Sequence, residues 1–388
     1  MDSIKIILCV TGSIAAVEDL KLVHELKRHG YDVECFMTEA ATDIITPLTM
    51  EFATKHPVIT KISGYVEHVT RAQADLILVA PATANTISKF ANKIADTAVT
   101  TLLLTASGYD TPILFVPSMH ISMFDAIEKN IQKIKDENDN VYFIQPNESE
   151  RKAKFPSKHD IVLEVERLTS KSKLKNKKIV VSTGATFESI DAMRGITNRS
   201  SGKMGVEVAK EAYRQGADVT LICGLIHTHI PTFIRSINVE STSQMRDVLF
   251  REIVDADVYI SAAAVSDFSV SSSEFEKLSS DNEVSINLSK LPKLLSEVKH
   301  INPDIFLVGF KAEAGLSEDE LISRAENRMS RYDADLMVAN DILLEDGGPG
   351  LDKNEVYLID KEDCVKVPLA FKKDIALSII DKVYDLLD

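Results

Sequence analysis

Short runs that are apolar on both faces recur along the chain, each followed by an amphipathic stretch of helical period. They lie at 4–10, 32–37, 76–79, 113–116, 179–182, 218–223, 258–262 and 306–309. A strand with one solvated face alternates apolar and polar residues. A strand covered on both faces does not, and such runs mark a parallel sheet enclosed by helices. Strands interleaved with helices in this way predict an α/β protein. The halves echo each other in order: KIILCVTG at 5–12 and KIVVSTG at 178–184, RHGYDV at 28–33 and RQGADV at 214–219, ADLI at 74–77 and ADVY at 256–259. The register drifts between these matches, so the pattern describes two doubly wound, Rossmann-like units rather than a tandem repeat. The basic segment 171–178, KSKLKNKK, is poor in large apolar groups and reads as a linker. Domains over 1–172 and 173–388 are expected.

At 388 residues the chain is long enough for two domains, each with its own core. The net charge of −15 argues against binding nucleic acid or anionic membranes, but leaves room for local anion sites. Cys9, Cys35, Cys223 and Cys364 are far apart in sequence, which excludes zinc-ribbon and CxxC motifs. The first three sit in apolar runs and read as buried thiols in a reducing compartment. The amino terminus enters a strand with no basic leader, and no apolar stretch approaches the roughly 20 residues of a membrane span. A cytoplasmic protein is expected.

Three loops in the first half carry candidate chemistry. Thr11, Gly12, Ser13 and Ile14 follow the first strand and open a helix, where backbone N–H groups and hydroxyls suit a phosphate. One glycine does not make the dinucleotide fingerprint G-x-G-x-x-G. Residues 80–86, APATANT, follow the third strand, and 117–124, PSMHISMF, follow the fourth. Loops after parallel strands line the crevice where such sheets bind ligands. Together these loops resemble the homo-oligomeric flavin-containing Cys decarboxylases. The flavin-loop pattern P-A-S-A-N-T appears at 81–86 with Thr83 for Ser. The substrate-loop pattern P-x-M-N-x-x-M-[WY] appears at 117–124 with His120 for Asn and Phe124 as the aromatic.

The resemblance implies a flavodoxin-like unit that binds FMN through Gly12, Ser13, Ile14, Thr38, Pro81, Ala82, Thr83, Asn85 and Thr86. It implies a substrate beside Met119 and His120, and His68 as the catalytic histidine. The implied reaction is redox-neutral overall: the flavin oxidises the thiol-bearing carbon, CO₂ departs, and the flavin returns the reducing equivalents. Besides His120, the chain departs from the family pattern in its flap. Bacterial relatives carry a Cys there, whereas 145–157, QPNESERKAKFPS, has none. Lys152 and Lys154 in that flap read as solvated.

Glycine is scarce, with 15 in the chain, yet Gly184, Gly195, Gly202 and Gly205 fall close together. They punctuate STGAT at 182–186 and RGITNRSSGKMG at 194–205, ahead of a helix expected over 206–215. Small residues, hydroxyls and cations at a helix start form an anion cradle. Met204 after Lys203 breaks the Walker A pattern. Asp267 lies just past the strand at 258–262, where a carboxylate suits a metal or a ribose, and Glu276 and Lys277 follow. FLVGFKAE at 306–313 and AND at 339–341 feed the same sheet edge.

This set resembles the phosphopantothenate–cysteine ligases, whose motifs occur here in order. The resemblance implies CTP and Mg²⁺, with a pantothenate carboxylate attacking the α-phosphate and the cysteine amine then attacking the acyl nucleotide. It implies that Asn198 holds the acyl nucleotide, Arg194 serves its conversion and Lys277 its formation. Gly184, Ser200, Ser201, Gly202, Lys203, Met204, Ala264, Asp267 and Phe310 would line the substrate site, with Asp267 the metal candidate. The turn 347–350, GGPG, with Glu345, Asp346 and Asp352 beside it, reads as solvated rather than metal-binding. The two resemblances together describe the bifunctional family of coenzyme A biosynthesis, acting on small molecules as a homo-oligomer. Three alternatives stand at this point: a ligase whose flavin half no longer decarboxylates, a non-catalytic flavin-binding regulatory subunit, and a first half that resembles a flavin prenyltransferase.

Overall fold

Strand β1 (Lys5–Val10) is buried at every position but its first, as its unbroken apolar run requires. It pairs in parallel with β2 (Asp32–Met37) on one side and β3 (Leu76–Ala82) on the other. β4 (Ile113–Pro117) and β5 (Val141–Phe143) extend the parallel sheet, giving the order β2-β1-β3-β4-β5. Strand order reverses between β1 and β3, and ligands of doubly wound sheets bind at such a reversal. Helices Ala84–Ala91 and Ala98–Ser107 pack Ile87, Phe90, Val99 and Leu103 against Ile7, Ile77 and Phe115. Each large side chain so buried contributes roughly 1.5–3 kcal/mol.

This sheet belongs to the first of two compact units, Met1–Ser170 and Lys171–Asp388. The computed structural model describes residues 3–144, 147–149, 152–271 and 285–387, with the backbone alone at 147–149 and 152–154. No described helix is long and apolar enough to cross a membrane.

The second unit is built on an eight-stranded sheet. Its strands are β6 (Lys178–Thr183), β7 (Asp218–Cys223), β8 (Arg235–Asn238), β9 (Val258–Ser261), β10 (Phe306–Glu313), β11 (Leu336–Asp341), β12 (Lys353–Ile359) and β13 (Cys364–Phe371), in the order β8-β7-β6-β9-β10-β11-β12-β13. The first six are parallel in the Rossmann order, and β12 and β13 add an antiparallel edge. The order reverses between β6 and β9. One face of the sheet packs Val206, Ala209 and Ile379, the other Met245, Leu321 and Met329. The helix over Lys203–Arg214 starts three residues before the position expected from sequence. Its N-cap, Gly202, has φ +75°, a backbone conformation that costs glycine little.

The basic segment contributes to this second unit. Leu174 is buried in its core, and its N–H donates to Gln215 O at 2.9 Å.

Candidate functional site

In the first unit the loops at the strand reversal are bonded to one another. Thr11 Oγ1 donates to Pro81 O at 2.6 Å and accepts from the Thr83 N–H at 3.1 Å. Thr83 caps helix Ala84–Ala91 by accepting from the Thr86 N–H, and Thr38 caps helix Glu39–Thr42 by accepting from Ala41. Among the described residues the Ser13 hydroxyl makes only long contacts, 3.4 Å each, with the Ala15 N–H and with the carbonyl and hydroxyl of Ser118. Its hydroxyl therefore remains available to a stronger partner. Ala82 and Thr86 are buried, whereas Gly12 and Asn85 face solvent and Ile14 is 77% exposed.

These residues fit the phosphate end of a flavin. A Cβ on Gly12 would lie 2.7 Å from Ala40 Cβ, so the backbone here is bare of side chain by steric necessity. His68 is the second residue of the short helix Glu67–Arg71. Its Nδ1 is buried and has no hydrogen-bond partner among the described residues. A buried, unsatisfied ring nitrogen is costly unless a ligand completes it.

His120 caps its own helix. It is the N-cap of helix Ile121–Ala126, and its Nδ1 lies 3.3 Å from the Ser122 N–H and 2.8 Å from Ser122 Oγ. Met119 and His120 pair antiparallel with residues 153 and 152, and the flap strand Lys152–Lys154 pairs with Asn147–Ser149. The flap backbone therefore lies on the substrate loop. Residues 145, 146, 150 and 151 fall outside the described residues.

In the second unit a cleft of about 500 Å³ opens at the carboxyl ends of β9, β10 and β11, beside the segment 198–205. Its lining includes nine of the residues singled out from sequence: Asn198, Ser200, Ser201, Gly202, Lys203, Met204, Ala264, Asp267 and Phe310. Thr183 Oγ1 donates to Gly202 O at 2.8 Å, which seats the helix start on the end of β6.

Gly184 and Arg194 are not in the lining. Gly184 is buried at the end of β6. Arg194 lies on an exposed turn, where its Nε donates to the buried carboxylate of Asp191 at 2.8 Å. Glu276 and Lys277 fall outside the described residues.

Sequence reasoning named Lys203, read Arg199 as part of the cationic stretch before the helix and quoted Lys311, but missed the other three cations of the cleft. Arg199, Lys203, Lys293, Lys311, Arg328 and Lys372 face a single carboxylate side chain, that of Asp267, among the described lining residues. In a chain of net charge −15 this is a local excess of cations, of which Lys203, Lys293 and Lys311 are paired with Asp352, Asp267 and Glu313. Lys311 was legible within the GFK stretch. Lys293, Arg328 and Lys372 sit on elements whose lysines and arginines read as solvated. Burial and the neighbouring Lys203 charge push Lys372 down to about 8.

Asp267 pairs with the ammonium of Lys293. No group of three or more His, Cys, Asp or Glu side chains among the described residues is placed to hold a metal. The donor set does not fit a resident metal cage, and a divalent ion here would arrive on phosphate oxygens. The turn at 347–350 is not free in solvent either: Gly348 and Pro349 line the cleft, and Lys203 and Lys372 bond to the turn. Pro349, Gly350 and the flanking acids are exposed as expected, whereas Gly347 and Gly348 are buried and the turn is anchored by residues distant in sequence.

Comparison with known proteins sets the class. Residues 1–170 match the Flavoprotein family and 174–387 the DNA/pantothenate metabolism flavoprotein C-terminal domain, so a flavin-binding unit is fused to a pantothenate-metabolism unit. The chain is 44% identical to the coenzyme A biosynthesis bifunctional protein CoaBC of Thermococcus kodakarensis, covering 99% of this chain and 95% of that one. It is 39% identical to the CoaBC of Methanocaldococcus jannaschii, covering 100% and 95%. It belongs to the family of CoaBC bifunctional proteins of coenzyme A biosynthesis. Among solved structures, the DNA/pantothenate metabolism flavoprotein from Streptococcus pneumoniae is 28% identical, covering 54% of this chain and 99% of that one, with a TM-score of 0.48.

Proposed function

We propose that this chain makes 4′-phosphopantetheine in two steps. The second unit ligates 4′-phosphopantothenate to L-cysteine at the cost of CTP, and the first decarboxylates the product with FMN. The observation that carries the reading is the cationic cleft at the strand reversal of the second unit, which gathers nine of the sequence-assigned residues.

A triphosphate, a phosphorylated acid and an amino acid all bring negative charge, and a site with six cations attracts all three. A substrate carboxylate oxygen attacks the α-phosphorus and pyrophosphate leaves. The cysteine amine then attacks the acyl carbon and the nucleoside monophosphate leaves. The amide nitrogen of Asn198 is spent on carbonyl oxygens, so it presents its amide oxygen to the acyl nucleotide. Lys203 and the amino end of helix Lys203–Arg214 stabilise phosphate charge. Mg²⁺ enters as part of the nucleotide complex, with Asp267 the lining carboxylate closest in role. Lys277 and Arg194 keep the roles implied by the family motifs, activation and conversion.

In the first unit, Gly12, Ser13, Thr38, Thr83 and Thr86 hold the cofactor's phosphate and ribityl side through backbone and hydroxyl donors. FMN, when bound, supplies the two-electron chemistry that makes loss of CO₂ feasible. His68 holds or moves a proton at its ring nitrogens, and Met119 and His120 orient the substrate carboxyl. Ile14, Leu48, Phe52 and Tyr65, each more than 60% exposed on this unit, support a homo-oligomer that covers them. Four free cysteines, three of them buried, support a reducing cytoplasm.

The test is mass spectrometry of purified protein with 4′-phosphopantothenate, cysteine, CTP and Mg²⁺. The expected product is 4′-phosphopantetheine. Accumulation of phosphopantothenoylcysteine would reject the decarboxylase role, and no adduct with any nucleotide would reject the ligase role.

A further inference from the structure

Two lysines from distant parts of the chain hold the turn at 347–352. Lys203 donates to Gly350 O at 2.9 Å and meets the Asp352 carboxylate at 2.7 Å. Lys372 donates to Gly348 O at 2.9 Å and to Leu351 O at 2.6 Å, while its backbone N–H donates to Asp352 O. The two ammonium groups are held differently. Lys372 is 6% exposed and its hydrogen-bond acceptors are main-chain oxygens, which an incoming anion cannot replace. Lys203 shares its charge with a side chain that is 76% exposed, and a polyphosphate outcompetes one solvated carboxylate.

We propose that Lys372 is a positioning residue of the ligase. It fixes the 347–352 turn as one wall of a polyphosphate subsite, whose exchangeable cation, Lys203, stays on Asp352 until the nucleotide arrives. The inference rests on reading the cleft as the nucleotide site. The charged groups facing Lys372 are Lys203 and Asp352. Because burial brings Lys372 down to about 8, its charge is lost across the pH range of an ordinary assay.

The test uses the full chain, CTP titration calorimetry and steady-state kinetics. Lys372→Met is expected to weaken CTP binding by about tenfold or more, raising the KM for CTP while kcat at saturation moves less than about threefold. Lys372→Arg recovers most of the loss. Wild-type affinity falls between pH 7 and 9, and the Met variant is flat there. Asp352→Asn, an exposed change that leaves the fold alone, is expected to tighten CTP binding by about threefold by releasing Lys203. Unchanged CTP affinity in Lys372→Met, or weaker binding in Asp352→Asn, overturns the proposal.

A second readout needs no nucleotide. Glutamyl endoproteinase should cut ligand-free protein at Glu345 faster in Lys372→Met than in wild type, and equal rates also overturn the anchor. If wild type binds no CTP while the cleavage rates differ, the nucleotide reading fails and the anchor stands.

Discussion

The amide nitrogen of Asn198 donates to the carbonyl oxygen of Ala264 at 3.0 Å, tying the loop after β6 to the loop after β9 across the strand reversal. The bond fixes both walls of the cleft and decides which end of the amide is presented to substrate. A carboxylate cannot make it, because both atoms would then be acceptors. Asn198→Asp is therefore expected to slow ligation on the order of 100-fold, as removal of one oriented polar group from a reacting centre does. Decarboxylation of supplied phosphopantothenoylcysteine stays at the wild-type rate. If both activities fall together, the assignment of the two steps to separate units is wrong.

His68 carries the corresponding test in the first unit. Its Nδ1 is buried without a partner among the described residues, so a bound ligand can complete it. His68→Asn keeps a polar group of similar reach but removes the imidazole ring. Ligation should proceed and phosphopantothenoylcysteine should accumulate, with CO₂ release down by about 100-fold or more. Flavin absorbance should remain, because the phosphate-end residues are untouched. CO₂ release at the wild-type rate would remove His68 from the site.

Local chemistry explains which of these features the sequence disclosed. Runs such as 76–79 and 113–116 are apolar on both faces, and the structure has strands over those positions. The loops after β1, β3, β6 and β9 were readable because hydroxyls and small residues follow strand ends in sequence as well as in space. The 347–350 turn read as solvated, which holds for Pro349, Gly350 and the flanking acids, but its anchoring was hidden because the lysine that meets Asp352 lies 149 residues upstream. His120 breaks the family pattern in sequence, yet it caps its own helix. Lys372 gave no sign at all, since a lysine opening an amphipathic helix ordinarily points to water.

Gly12 tests the flavin cradle without touching a titrating group. A methyl placed there would meet Ala40 Cβ at 2.7 Å, and the adjoining segment would have to shift. Gly12→Ala is expected to yield protein with little flavin absorbance and no decarboxylation, but with ligation of cysteine to phosphopantothenate intact. Full flavin content after purification would show that the cofactor's phosphate end lies elsewhere.

Asp19 gives a prediction about stability rather than turnover. It is fully buried at the start of helix Asp19–Arg28, and neither carboxylate oxygen has a partner among the described residues. Burial, helped by the charge of Glu18, pushes its pKa well above the usual carboxylate range. The folded state therefore binds a proton that the unfolded state releases above about pH 4. A raised carboxyl pKa contributes no penalty below the unfolded value. Its cost grows as pH rises toward the folded value, at up to about 1.4 kcal/mol per pH unit. Asp19→Asn holds a neutral side chain of the same shape at every pH. The amide's own unsatisfied donors can move the whole curve up or down, so the slope is the informative quantity. Thermal melts of both proteins from pH 4 to 8 should show the variant gaining on wild type steadily as pH rises. A constant difference across that range would mean that Asp19 is ionised in the folded protein, with a partner the fold does not display.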